Sequence, residues 1–354
     1  MLFYFILIVL LAMMLSVAII HLSSRLNWLV HKLDSHGVQK FHIDPVPSIG
    51  GFSVFLAFSY GLWSVGEESS VLIFFWVASL PIFLAGLVED ITLKIPPIWR
   101  LFFTFVSILV AYIYLGISVN SLGFEWTDKI LLNYPFLALL FTLLVVGGAI
   151  NSLNIIDGFN GLLGGYSILA SLAVAYVSYI LGDTLIMQLS LILTASVLGL
   201  FILNFPFGKI FMGDGGAYFV GFVLSILGLI LVDRHAELSN WFVLLIFIYP
   251  MYELLYSIYR RKIIHKTDAT HPDANHLHSL IYRKLISCDR FNHNKVICNS
   301  ATSPFLWLLS LVGIIPAIIW YDNQAMMIIS AFVFMFVYTI IYIYISSDRF
   351  KFNK

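Results

Sequence analysis

"PFLALLFTLLVVGGAINSLNIIDGFNGLLGGYSILASLAVAYVSYIL", residues 135–181, places two long apolar runs on either side of a polar insert, "NSLNIIDGFNGLLGG" at 151–165. A helix crossing a bilayer needs about 20 mostly apolar residues, and the runs 131–150 and 161–181 both meet that length. The insert is therefore a polar turn between two membrane helices. On periodicity alone it is either a plain hairpin or one wall of a site. Asn151, Asn154 and Asp157 step by three, which on a helix makes a slanted stripe at the end of the first run.

Working outward, the same pattern repeats along the chain. Hydrophobic residues make up 60% of the 354, charged residues only 11%, and the mean hydropathy is +0.96. No soluble domain of this length hides that much apolar surface, so the expected solvent is a bilayer. Eleven spans are predicted, at about 2–22, 49–65, 71–88, 99–117, 131–150, 161–181, 185–204, 215–232, 240–259, 303–320 and 325–345. The first lacks both the basic flank and the cleavage site of a signal peptide and is read as a retained helix. The expected fold class is all-α: a polytopic membrane protein of about eleven helices forming one domain over 1–354.

Charge fixes the expected orientation. When alternate loops are taken together, 17 of the 19 Lys and Arg fall on one side, leaving Lys129 and Arg234 on the other. By the positive-inside rule this puts the N-terminus outside and the C-terminus in the cytosol. The acids of the opposite side, among them Glu125, Asp128, Asp183 and Glu237, read as solvated loop charges. Cys288 and Cys298 sit ten apart on the basic side. They form no zinc pattern, and a disulfide is not expected in a cytosolic loop.

The informative polar residues gather in five loops on the basic side, at about 34–51, 89–100, 151–161, 204–216 and 260–302. Glu89, Asp90, Asp157 and Asp214 are hard oxygen ligands at the ends of apolar helices and suit Mg²⁺, with Mn²⁺ as a substitute. Lys40, Lys94, Lys209, Arg283 and Lys284 can balance phosphate charge. His42, His271, His276 and His278 can donate to a diphosphate or move a proton. Such a set at a membrane surface points to phosphoryl transfer between a soluble nucleotide and a lipid phosphate. Blander readings stand beside it. Glu89–Asp90 can mark a helix boundary, Asp214 can cap the eighth span, and His276 and His278, two apart, would face different ways on a helix. Glu253 is open between packing and a site contact. "GLLGG" has no following Lys, which excludes a P-loop.

Taken in order, the five loops resemble the polyprenyl-phosphate N-acetylhexosamine-1-phosphate transferases, the group that includes MraY, WecA and TagO, and are closer to the WecA-like branch. The resemblance runs over about 34–285 and rests on "KFHIDPVPSIGG", "GLVEDITLK", "NSLNIIDGFNGLLGG", "NFPFGKIFMGDGGAYFVG" and "HPDANHLHSL". It implies transfer of a sugar-1-phosphate from a UDP-sugar to polyprenyl (undecaprenyl) phosphate, with release of UMP, as the first step of a cell-envelope glycan. It also implies Mg²⁺, a multi-pass bacterial inner-membrane location with a cytosolic active site, a homodimer, and no nucleic-acid partner.

Residue by residue, the resemblance makes Asp214 the metal ligand and Asp90, with Glu89 and Asp157, the catalytic acids. Asp90 is expected at the lipid phosphate, as base or orienting group. Asn151, Asn154, Asn160, Lys94, Lys40, His42, His276 and His278 are expected to bind substrate. Three positions depart from the family pattern: Glu89 and Asn160 where it has Asp, and Ser279 where the WecA-type loop has His. A degenerate lipid-binding homologue and a secondary transporter are the alternatives.

Overall fold

The computed structural model describes residues 2–26, 46–65, 70–264, 275–286 and 294–347. These form α1 (Leu2–Leu26), α2 (Gly51–Ser64), α3 (Ser70–Thr92), α4 (Pro97–Leu115), α5 (Glu125–Asn133), α6 (Pro135–Ile156), α7 (Leu162–Ile180) and α8 (Thr184–Asn204). There follow α9 (Gly213–Arg234), α10 (Trp241–Ile246), α11 (Ile248–Tyr259), α12 (Leu277–Lys284), α13 (Lys295–Ser300), α14 (Ser303–Ile319) and α15 (Gln324–Ser346).

A helix stands at each of the eleven expected places. Among the described residues, nine are long and apolar enough to cross a membrane on their own. The other two differ for local reasons. The helix α2 has only 14 residues. The expected 240–259 run is divided at Phe247 into α10 and α11. Pro250 explains the break: it has no N–H to give to the carbonyl four residues earlier, so the helix cannot run through. A further short helix, α5, precedes α6. Tyr134 sits between them, before a proline that takes the first position of α6.

The centre of the bundle is α9, with 89% of its spanning window buried. In lipid, apolar faces gain nothing by leaving the solvent, so helices associate through close fit and small residues. Here the fit is backbone to backbone. A Cβ on Gly51 of α2 would lie 2.3 Å from the Gly216 Cα, and one on Gly86 of α3 would lie 2.5 Å from the Gly215 Cα. Both contacts fall at the N-terminal end of α9. Bulkier side chains fill the bundle further along, where Phe55, Phe83 and Phe219 pack as a stacked pair with an edge-on third ring. The outward faces of α1, α4 and α15 carry exposed Leu, Ile and Phe, as lipid-facing helices do.

Two expectations change at the periphery. Asp183 is buried rather than solvated: it caps α8 by accepting from the Ile186 N–H at 3.0 Å, and it also meets Arg234 at 3.3 Å. Cys298 on α13 is disulfide-bonded, where free thiols were expected.

Candidate active site

The N-terminus of α9 positions the site. Its first N–H groups have no partner within the helix and need one from outside. Asp90, at the end of α3, supplies it: Oδ1 accepts from the Asp214 N–H at 2.8 Å and Oδ2 from the Gly215 N–H at 2.9 Å. Asp214 was one candidate for the cap of this helix. Instead it lies in the first turn, and the cap is Asp90, 124 residues away in sequence. With both oxygens engaged, Asp90 has the geometry of an orienting group. Gly213 makes the approach possible, since its φ is +75° and a Cβ there would lie 1.8 Å from the Ser48 carbonyl oxygen.

Held in this way, Asp214 faces a cavity of about 610 Å³ with Glu89, Asp90, Arg100, Asn154, Asp157, His276, His278, Ser48 and Ser279 on its walls. Asp214 Oδ1 accepts from Asn154 Nδ2 at 2.8 Å, and Oδ2 is ion-paired with Arg100. Glu89 is turned partly back on its own loop, with Oε2 accepting from the Ile95 N–H at 2.6 Å. Asp157 ends α6. Burial, and then the charge of Asp214, push its carboxyl up to about 7, against a hydrogen bond from the Gly213 N–H.

These side chains fit a hard divalent cation. Among the described lining residues, four carboxylates face one guanidinium and two imidazoles, a surface that repels phosphate unless a cation is added. Burial is the larger cause of the Asp157 elevation, and the charge of Asp214 adds to it. Among the described residues, no three Asp, Glu, His or Cys side chains are gathered as a preformed cage. A magnesium site does not need one, because such an ion takes one or two carboxylates and fills its other positions with water and phosphate.

The opposite wall is the start of α12. His276 is in an extended conformation (φ −64°, ψ 150°) just before the helix, so the two histidines do not diverge as they would within a helix. Their rings stack at 5.1 Å with planes 8° apart, and His278 meets the edge of Phe159 at 5.4 Å. Behind them, Glu253 of α11 is fully buried. Its Oε1 lies 3.1 Å from His276 Nδ1 and accepts from the Leu277 N–H at 2.9 Å, while Oε2 accepts from the Tyr338 hydroxyl at 2.8 Å.

Of the expected site residues, the structure brings Glu89, Asp90, Asn154, Asp157, Asp214, His276 and His278 together. Three lie elsewhere. Asn151 turns its amide back to the Gly147 carbonyl of its own helix at 2.7 Å. Asn160 is buried against α13: its N–H donates to Asn299 Oδ1 at 2.8 Å and its Nδ2 to Ser300 Oγ at 3.0 Å, so it braces the 158–161 turn from behind. Lys94 is exposed and not part of the cavity wall. Lys40 and His42 lie outside the described residues. Sequence reasoning missed Arg100, which had been counted only as a cation of the basic side. Its signal was a charge one turn inside an apolar run, a costly placement that needs a reason.

Comparison with known proteins finds similarity over the same stretch of chain. The sequence profile of glycosyl transferase family 4 matches residues 72–232, the stretch that carries Glu89, Asp90, Asn154, Asp157 and Asp214. The chain is 27% identical over 290 residues to a probable undecaprenyl-phosphate N-acetylglucosaminyl 1-phosphate transferase of Bacillus subtilis, covering 81% of this chain and 78% of that protein. It is 26% identical over 253 residues to the undecaprenyl-phosphate alpha-N-acetylglucosaminyl 1-phosphate transferase of Thermotoga maritima, covering 72% and 74%. With the Escherichia coli K12 protein of the same description it shares 28% over 260 residues, covering 71% and 69%.

Proposed function

We propose, for a chain that belongs to glycosyl transferase family 4, the transfer of a sugar-1-phosphate from a UDP-sugar to a polyprenyl phosphate. An oxygen of the lipid phosphate attacks the sugar-bearing phosphorus of the UDP-sugar. The bond from that phosphorus to the bridging oxygen breaks, and UMP leaves with the oxygen. The product is a sugar linked to the lipid through a diphosphate. A lipid phosphate is already anionic and needs no strong base, so the work of the protein is positioning and charge stabilisation.

The observation that carries this reading is the meeting of Asp214, Asp157, Arg100, His276 and His278 around one cavity at one end of a membrane bundle. Asp214, with Asp157 beside it, would hold Mg²⁺. That ion would neutralise phosphate charge in a site that is otherwise anionic. Asp90 keeps Asp214 aimed at the cavity. Arg100 and the two histidines are donors for phosphate oxygens, and Asn154 orients Asp214. With 17 of 19 cations on the side of this cavity, the donor would enter from the cytosol. Glu253, an acid within an apolar span, is tied to a histidine of the cavity wall, which speaks against a transporter.

N-acetylglucosamine is the sugar named for the relatives, so its UDP form heads the donor panel. Purified full-length protein with undecaprenyl phosphate and Mg²⁺ should release UMP from at least one UDP-sugar, and Asp214→Ala should abolish the release. No UMP from any donor, with lipid and metal supplied, would refute the assignment.

A further inference from the structure

From the buried bonds behind the histidine wall, we infer that Glu253 is a positioning residue: it fixes His276 with Nδ1–H turned inward, so that Nε2 is the ring nitrogen offered to substrate phosphate. The inference rests on the transferase reading and adds to it a residue outside the cavity wall.

A carboxylate fully buried among apolar helices is costly unless both of its oxygens are hydrogen-bonded. Glu253 meets that demand with three donors from three places: the His276 ring, the Leu277 N–H that opens α12, and the Tyr338 hydroxyl of α15. Carboxylate oxygens only accept hydrogen bonds, so the His276 nitrogen facing Oε1 must carry the proton. That settles the tautomer. Nε2 is left for the cavity, in whose wall His276 stands. A ring carrying protons on both nitrogens donates from Nδ1 to Glu253 and from Nε2, as a charge-assisted donor, to a diphosphate oxygen. A carboxylate that orients a histidine commonly changes function by about 10- to 100-fold when removed. Tyr338 belongs to α15, from which, among the described residues, none lines the cavity. Through Glu253 that helix acts on the geometry of the opposite end of the site.

The test is a double-mutant cycle on the purified full-length protein, using E253Q, which keeps the size and can keep the Leu277 contact, and H276N. E253Q should lower kcat/KM for the UDP-sugar about 10- to 100-fold, and the same change in the H276N background should cost less than about 2-fold. Equal losses in both backgrounds, or no loss in E253Q, would overturn the inference, since a structural role in packing α12 would act regardless of the histidine. Should E253Q fail to fold, Y338F removes one bond to the same carboxylate and is expected to give a several-fold loss that again vanishes with H276N. Ring ¹⁵N shifts of histidine-labelled protein give a readout that does not depend on turnover. The signal that disappears in H276N should report a protonated Nδ1, and a proton on Nε2 alone would overturn the inference. Absence of UMP release by the wild type, with the Nδ1 signal present, would instead count against the transferase reading.

Discussion

Asp90 holds Asp214 through the backbone: the carboxylate at the end of α3 accepts the amide hydrogen of the very residue whose side chain faces the cavity. An acid in a family motif thus serves as the external cap of a buried helix. Replacing a capping carboxylate by Ala typically costs about 0.5–2 kcal/mol, and burial of this one places D90A toward the upper end of that range. Thermal unfolding in detergent should show a lower midpoint, and UMP release should fall by about 100-fold as Asp214 loses its aim. An unchanged midpoint in D90A would show that the cap is dispensable.

Asp157 gives a pH signature. Its folded pKa of about 7 lies above the ordinary value, which is about 3.9. Between those limits the folded state binds a proton that the unfolded chain has released, so its contribution to stability is complete at low pH and is lost as pH rises through about 7. In chelator, wild-type protein should unfold at progressively lower temperature from pH 5 to pH 8, and D157N should show a flatter profile. Protons and cation compete for the same carboxylates, so Mg²⁺ should bind more tightly above pH 7 than below it.

Arg100 occupies Asp214 where a cation would sit. R100A should therefore move two quantities in opposite directions. Turnover should drop about 10- to 100-fold through loss of a phosphate donor, while apparent Mn²⁺ or Mg²⁺ affinity should rise because a competing positive charge is gone. Metal titration followed by the thermal midpoint separates the two. Weaker metal binding in R100A would contradict the competition.

Asn160 offers a reversal test. The family pattern has Asp there, yet the structure gives the Asn amide to Ser300 and sets it near the Val296 carbonyl. N160D removes the donor and faces an acceptor with another acceptor, at a cost of about 1–3 kcal/mol for a buried unsatisfied group. Activity should not increase. A gain in turnover with no loss of stability would mean that this position reaches the substrate after all.

Much of the plan could be read from residue order. Apolar runs mark helices because a bilayer leaves backbone groups no partner but their own segment, and sided cations marked which ends would converge. The gathering of Asp157, Asp214, His276 and His278 followed from that. The capping role of Asp90 did not, because its partners are amides of a helix 124 positions away, and periodicity reports only which face a residue occupies. Asn151 continues the stripe of Asn154 and Asp157 but lies a turn too deep, where its own Gly147 carbonyl is the nearer acceptor. Glu253 was ambiguous for the same reason: a lone acid in an apolar run shows that a partner exists without saying which.

The glycine contacts at the start of α9 have a consequence for any inhibitor of this site. Where Gly51 meets Gly216 and Gly86 meets Gly215, no side chain can be inserted without driving the helices apart. A compound resting its polar group against that end of α9 would lean on a surface that point substitution cannot remodel. Escape variants should arise instead around Phe159, Ser279 and the start of α12, where side chains rather than backbone form the wall.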